Sequence, residues 1–203
     1  MKKFNIKIFL VLFVICIQLS VINSQNLVPN PSFEDTVACP NFTNEVSKAI
    51  GWNNNSNGTP DYFHVCSQYS VSVPNNVLGY QYPMDSNAYC GLYTYTWVSL
   101  NQREYIGRQI SSPLIIGQKY YCSFCVSLAS IDSSTSTSCN CASNNLGLLF
   151  TTTPYNYDIW NPTSIRNFAH INSNSIISDT LNWTTISGSF IADSSYQYFT
   201  IGN

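Results

Sequence analysis

Residues 120–128 read Tyr-Tyr-Cys-Ser-Phe-Cys-Val-Ser-Leu, and a two-residue alternation runs through them. Side chains on a strand point to opposite faces in turn. Tyr120, Cys122, Phe124, Val126 and Leu128 therefore share one apolar face, and Tyr121, Ser123, Cys125 and Ser127 share a polar one. An apolar sheet face needs a second layer to cover it. Similar signals place strands near 26–34, 88–96, 104–111, 119–129, 145–152, 183–192 and 196–202, each rich in Tyr, Phe, Ile, Val or Thr and bounded by Pro, Gly, Asn or Ser. Helical periodicity is scarce. The expected fold class is all-β, a jelly-roll β-sandwich, with long polar loops at 52–60, 130–144 and 153–164.

The chain begins MKKFNIKIFLVLFVICIQLSVINSQ, with Lys2, Lys3 and Lys7 ahead of an apolar run from 8 to 17, then polar and small residues to Ser24. That order is the pattern of a secretory signal peptide. The run is too short for a membrane span, which needs roughly 20 residues. Residues 1–24 are thus expected to be removed, leaving 25–203 as one β-sandwich module, secreted or at the cell surface. Cys16 follows Phe13-Val14-Ile15 rather than the small residues that precede a lipid-attached cysteine.

After cleavage, five basic residues (Lys48, Arg103, Arg108, Lys119 and Arg166) face ten acids, for a net charge of −5. No basic patch exists, so nucleic acid is excluded as an expected partner, because phosphate binding relies on clustered Lys and Arg. Only 9% of residues are charged, against about a quarter in typical domains, so Asn, Ser, Thr and Tyr must make the surface polar.

Seven cysteines remain: 39, 66, 90, 122, 125, 139 and 141. In an exported chain the default is a disulfide framework, and an odd count leaves one thiol over. Cys122 and Cys125 point to opposite faces of a strand and are not expected to share a metal or a bond. Cys139 and Cys141 sit in a Ser/Thr-rich tract, where a disulfide would offset the entropy of ordering the loop. The segment Asp61-Tyr-Phe-His64-Val-Cys66 offers an acid, a base and a thiol. His64 and Cys66 would face the same way on an extended chain, but a Cys66 disulfide, with Cys39 the candidate partner, is the simpler account. His170 is expected to cap or pack. No Gly-x-Ser-x-Gly, His-Glu-x-x-His or paired carboxylates appear. No enzymatic activity is expected.

Several stretches in order resemble a known family: NLVPNPSFED (26–35), CPNF (39–42), GTPDYFHVC (58–66), VPNNVLGYQYP (73–83), NAYCGLYTY (87–95), the run from 103 to 129, and NWTTISGSFIADSSYQYFTIGN (182–203). They look like the N-terminal module of large exported Bacteroidetes proteins that carry gliding-motility-associated C-terminal sorting domains or OmpA-like domains. The resemblance implies a galactose-binding-like jelly roll, similar to carbohydrate-binding modules that open with Asn-x-x-x-Asn-x-x-Phe-Glu. It also implies that the module continues past Asn203 to a further strand and further domains. In similar modules an acid at the end of the first stretch helps hold a structural Ca²⁺, and Glu34 stands at that place. Calcium takes six to eight oxygens, so Glu34 and Asp35 would need a second carboxylate, expected beyond Asn203.

Sugars offer C–H faces for stacking and hydroxyls for hydrogen bonds, so a glycan site needs exposed aromatic rings beside amides and acids. Trp52, Tyr62, Tyr80, Tyr82, Tyr93, Tyr95, Trp97 and Trp160 are candidate rings, with Asn53, Asn54, Asp61, Asp85 and Arg103 as hydrogen-bonders. The set selected is Trp97, Trp160, Tyr93, Tyr95, Asp85 and Arg103. Tyr89, Tyr93 and Tyr95 share strand parity and form one layer or one platform. The expected function is a surface binding or adhesion module with extracellular polysaccharide as ligand; the alternative is a spacer or protein-interaction module that buries its aromatics.

Overall fold

The computed structural model describes residues 25–95, 102–130, 142–158 and 168–203. Within them the chain is all-β. The strands are β1 (Asn53–Asn54), β2 (Asp61–His64), β3 (Asn75–Asn76), β4 (Gly79–Tyr80), β5 (Ala88–Gly91), β6 (Ile106–Gln109), β7 (Lys119–Val126), β8 (Gly147–Thr151), β9 (Ile171–Asn172), β10 (Thr184–Ile191) and β11 (Tyr198–Gly202). Two single 3-10 turns, Val46–Lys48 and Tyr69–Val71, supply the helical content of the described residues.

Five strands form an antiparallel sheet in the order β1-β6-β11-β8-β9. β11 lies at its centre, with Thr200 opposite Gly107 on one side and Leu149 on the other. The close approach of β6 to β11 depends on glycine, since a Cβ on Gly107 would stand 2.1 Å from the Phe199 carbonyl oxygen. A second layer is the long ladder of β7 with β10, running from Thr184 opposite Val126 to Ile191 opposite Lys119. β2 pairs with β5, and β3 with β4.

The alternation predicted for 120–128 is present: Tyr120, Cys122, Phe124 and Val126 pack against the core while Lys119 and Tyr121 face solvent. Across the ladder, β10 turns Ile186 and Phe190 inward. Phe190 lies 5.0 Å from the Phe150 ring of β8, which joins the two layers. Ile106, Leu148, Phe150 and Phe199 complete the centre of the core. Each such side chain contributes about 1.5–3 kcal/mol when fully buried.

Residues 26–34 depart from the sequence expectation, because they form turns and not a first strand. Pro29 and Pro31 lack the N–H that a ladder needs, and Asn30 and Phe33 adopt positive φ of 44° and 63°. The segment is held by side chains instead. Trp52 Nε1 donates to the Asn30 carbonyl at 2.9 Å, the Tyr62 hydroxyl donates to the Phe33 carbonyl at 2.8 Å, and the Arg108 guanidinium donates to the carbonyls of Pro29 and Ile50. The strand predicted over 88–96 stops at Gly91, and β1, β2, β3, β4 and β9 were not predicted.

Cys39 and Cys66 form a disulfide with Cα atoms 5.8 Å apart, which ties the end of β2 to the loop ahead of the first 3-10 turn. Cys90, Cys122 and Cys125 are free thiols. Cys139 and Cys141 lie outside the described residues.

Candidate functional site

Between the two layers lies a cavity of about 1020 Å³, at the upper end of the roughly 300–1,000 Å³ usual for small-molecule sites. Ile106, Leu148, Phe199 and Ile201 line it from the five-stranded sheet, and Phe124 and Val126 line it from β7. β5, the residues that follow it to Tyr95, and the β3–β4 turn close the sides. β7 has β10 as its one ladder partner among the described residues. Side chains of both its faces, Ser123 and Cys125 as well as Phe124 and Val126, line the cavity, so the strand offers it an edge.

Aromatic rings gather at the mouth. Tyr80 is 53% exposed, Tyr95 51% and Met84 57%, and all three line the cavity. The half-buried Trp183, at the start of the β10 ladder, lines it too and stacks edge-on to Tyr89 with centroids 5.6 Å apart. Its indole N–H donates to the Tyr82 carbonyl at 2.8 Å. The Tyr80 and Tyr82 rings meet edge-to-face at 5.5 Å with their hydroxyls 3.0 Å apart. That hydroxyl contact raises the Tyr80 pKa, and burial pushes Tyr89 up to about 12, against the opposing bond from the Asn76 amide. These two phenols therefore stay neutral at ordinary pH and can both donate and accept.

The polar groups of the site are amides and acids. Asn26, Gln81 and Gln102 line the cavity, and Asp85 accepts a hydrogen bond from the Ser32 hydroxyl at 3.0 Å. Asp61, 6% exposed, also lines it. Burial raises its pKa to about 6, the Asn44 N–H at 2.8 Å opposes that rise, and the charge of Glu104 adds to it. Burial, with Asp61 adding, holds the Cys90 thiol well above the ordinary range, so Cys90 is a poor nucleophile.

Of the residues selected from sequence, the structure brings Tyr93, Tyr95 and Asp85 to this one cavity. Arg103 belongs to a second hollow of about 350 Å³, where its guanidinium donates to the Asn203 side chain. Trp97 and Trp160 lie outside the described residues. Trp52 and Tyr62 are buried in the core. Glu34 is a clip, with Oε1 accepting from the Asn87 N–H at 2.8 Å and Oε2 from the Asn87 side-chain amide at 2.9 Å. Among the described residues no group of three His, Cys, Asp or Glu stands close enough to hold a metal.

Sequence reasoning missed Trp183, hidden at the start of a predicted strand, and Glu104. Buried Glu104 accepts from the Thr59 N–H at 2.5 Å and its hydroxyl at 2.9 Å, and from the Tyr93 N–H at 2.9 Å. It thereby fixes the cavity wall that carries Tyr93. His64 Nδ1 accepts the Cys66 N–H at 3.0 Å, and the Cys66 sulfur is spent in the disulfide.

Compared with family models, curated proteins and solved structures, the chain finds no match.

Proposed function

We propose that the protein is a non-catalytic binding module of an exported protein and that it takes carbohydrate at the mouth of the cavity. One observation carries this reading: exposed Tyr80 and Tyr95 and half-buried Trp183 converge on one opening together with Gln81, Asp85 and Gln102. Rings supply stacking faces and the amides, acid and β7 edge supply hydrogen bonds, which is the combination a sugar needs. A spacer would bury such rings. Binding is favoured over catalysis because Glu104 and His64 spend hydrogen-bonding atoms on the fold. The Cys39–Cys66 disulfide suits an oxidising compartment, and the resemblance to exported Bacteroidetes modules supports a place at the cell surface.

A glycan array probed with the protein tests the reading, followed by titration of the best glycan against Tyr95→Ala and Trp183→Ala. Loss of one stacked ring is expected to weaken binding about two- to tenfold, since ring-stacking contacts are worth roughly 0.5–1.5 kcal/mol beyond their area. Tyr95→Ala should leave the melting temperature unchanged. Silence across diverse polysaccharides would favour the spacer.

A further inference from the structure

Behind the aromatic mouth the cavity changes character. Val28, Leu78, Leu92, Leu146, Ile177 and Ile201 come from separate parts of the chain and line the same space. A sugar pushed among them would lose its hydrogen bonds to water without replacement. These aliphatic side chains favour an apolar occupant, and about 1020 Å³ is far more room than packing defects leave. Charge narrows the choice. Among the described residues that line the cavity there is no Lys, Arg or His, and the two ionisable carboxyl groups are Asp61 and Asp85. A carboxylate or phosphate head would meet like charge with no cation to pair with it.

From this juxtaposition of a polar aromatic mouth, an apolar interior and a lining without cations, we propose that the ligand is a neutral glycolipid-type molecule whose sugar sits at the mouth and whose hydrocarbon chain fills the cavity. The proposal rests on the carbohydrate reading of the mouth and adds the chain. The sugar stacks on Tyr80, Tyr95 and Trp183, and Asp85 and Gln102 accept from or donate to its hydroxyls. The chain passes inward along Leu92 and Ile177, where each added methylene leaves water.

The test is calorimetric titration of the protein with octyl, decyl and dodecyl glucosides, each below its micelle concentration, beside glucose alone and dodecanoate. Affinity is expected to rise about fourfold per methylene, so that the dodecyl glucoside outbinds the octyl by about 250-fold, while dodecanoate binds far more weakly than the dodecyl glucoside. Leu92→Trp, which places bulk in the cavity, should shorten the longest chain that still gains affinity. Glucosides that bind with no dependence on chain length would overturn the chain and leave the sugar site standing. Dodecanoate binding as tightly as the dodecyl glucoside would overturn the neutral head and the carbohydrate reading with it. No binding by any glucoside, with dodecanoate also silent, overturns both.

Discussion

Asp61 carries an electrostatic cost that pH can switch. Its carboxyl titrates at 3.8 when solvated and at about 6 in the fold, chiefly through burial. Between those values the folded state keeps a proton that the unfolded state has lost, so stability falls as pH rises through that window. The gap, at about 1.4 kcal/mol per pH unit, is worth about 3 kcal/mol at neutral pH. Asp61→Asn keeps an oxygen for the Asn44 N–H and removes the charge, so it is expected to melt higher than wild type at neutral pH. His170 works in the other sense. Its Nδ1 accepts the Phe150 N–H at 3.1 Å, and burial among aromatic rings lowers its pKa below 6.5. That contribution is full above 6.5 and is lost as pH falls. Calorimetry from neutral pH down to about 4 should therefore show wild type partly compensated between the two groups, with Asp61→Asn losing stability steadily on acidification. A variant that tracks wild type at every pH would mean that Asp61 carries no charge cost.

At the scale of elements, what could be read in advance depended on length. β7 and β10 each hold eight residues, enough for alternation to show, and both lie within a residue or so of the predicted ends at their start. β1, β3, β4 and β9 hold two residues each, too short for a period, and exist because neighbours pair with them. The stretch at 26–34 failed in the opposite way: Leu27, Val28 and Phe33 read as strand-forming, but the prolines between them silence the ladder. Tyr93, Tyr95 and Asp85 stand out in the sequence because ring and hydrogen-bonder lie close together, and all three line the cavity. Arg103 stood equally close, yet its side chain joins Asn203 in the second hollow. Trp183 was illegible, since only the fold brings β10 beside the β3–β4 turn. The disulfide was readable from compartment logic, and it makes its own prediction. Closing a loop with a sequence separation of 27 is worth about 3.5 kcal/mol in the chain-entropy account. The double substitution Cys39→Ser and Cys66→Ser should lower the melting temperature by roughly 7–14 °C for a chain of this size. A drop of no more than a degree or two would show that the crosslink constrains nothing the unfolded chain explores.

For the whole molecule, the two layers contact each other through Phe150 against Phe190 and through Ile171 against Gly188, and the cavity lies between them elsewhere. Atoms lining such a space gain dispersion contacts from an occupant that fills it. Ligand binding and stability are for that reason one measurement. An occupant that binds only the folded chain adds about 2.7 kcal/mol at a hundred times its dissociation constant, which converts to a rise of roughly 5–10 °C in melting temperature. The rise should grow with the logarithm of free ligand and should differ between dodecyl glucoside and glucose at matched concentration. In Tyr95→Ala it should shrink for both ligands, because the mouth is shared, whereas Leu92→Trp should shrink it for the alkyl glucoside alone. A thermal shift equal in wild type and both variants would place the ligand elsewhere on the molecule, and the cavity would then be a cost of building two sheets that meet along only part of their length.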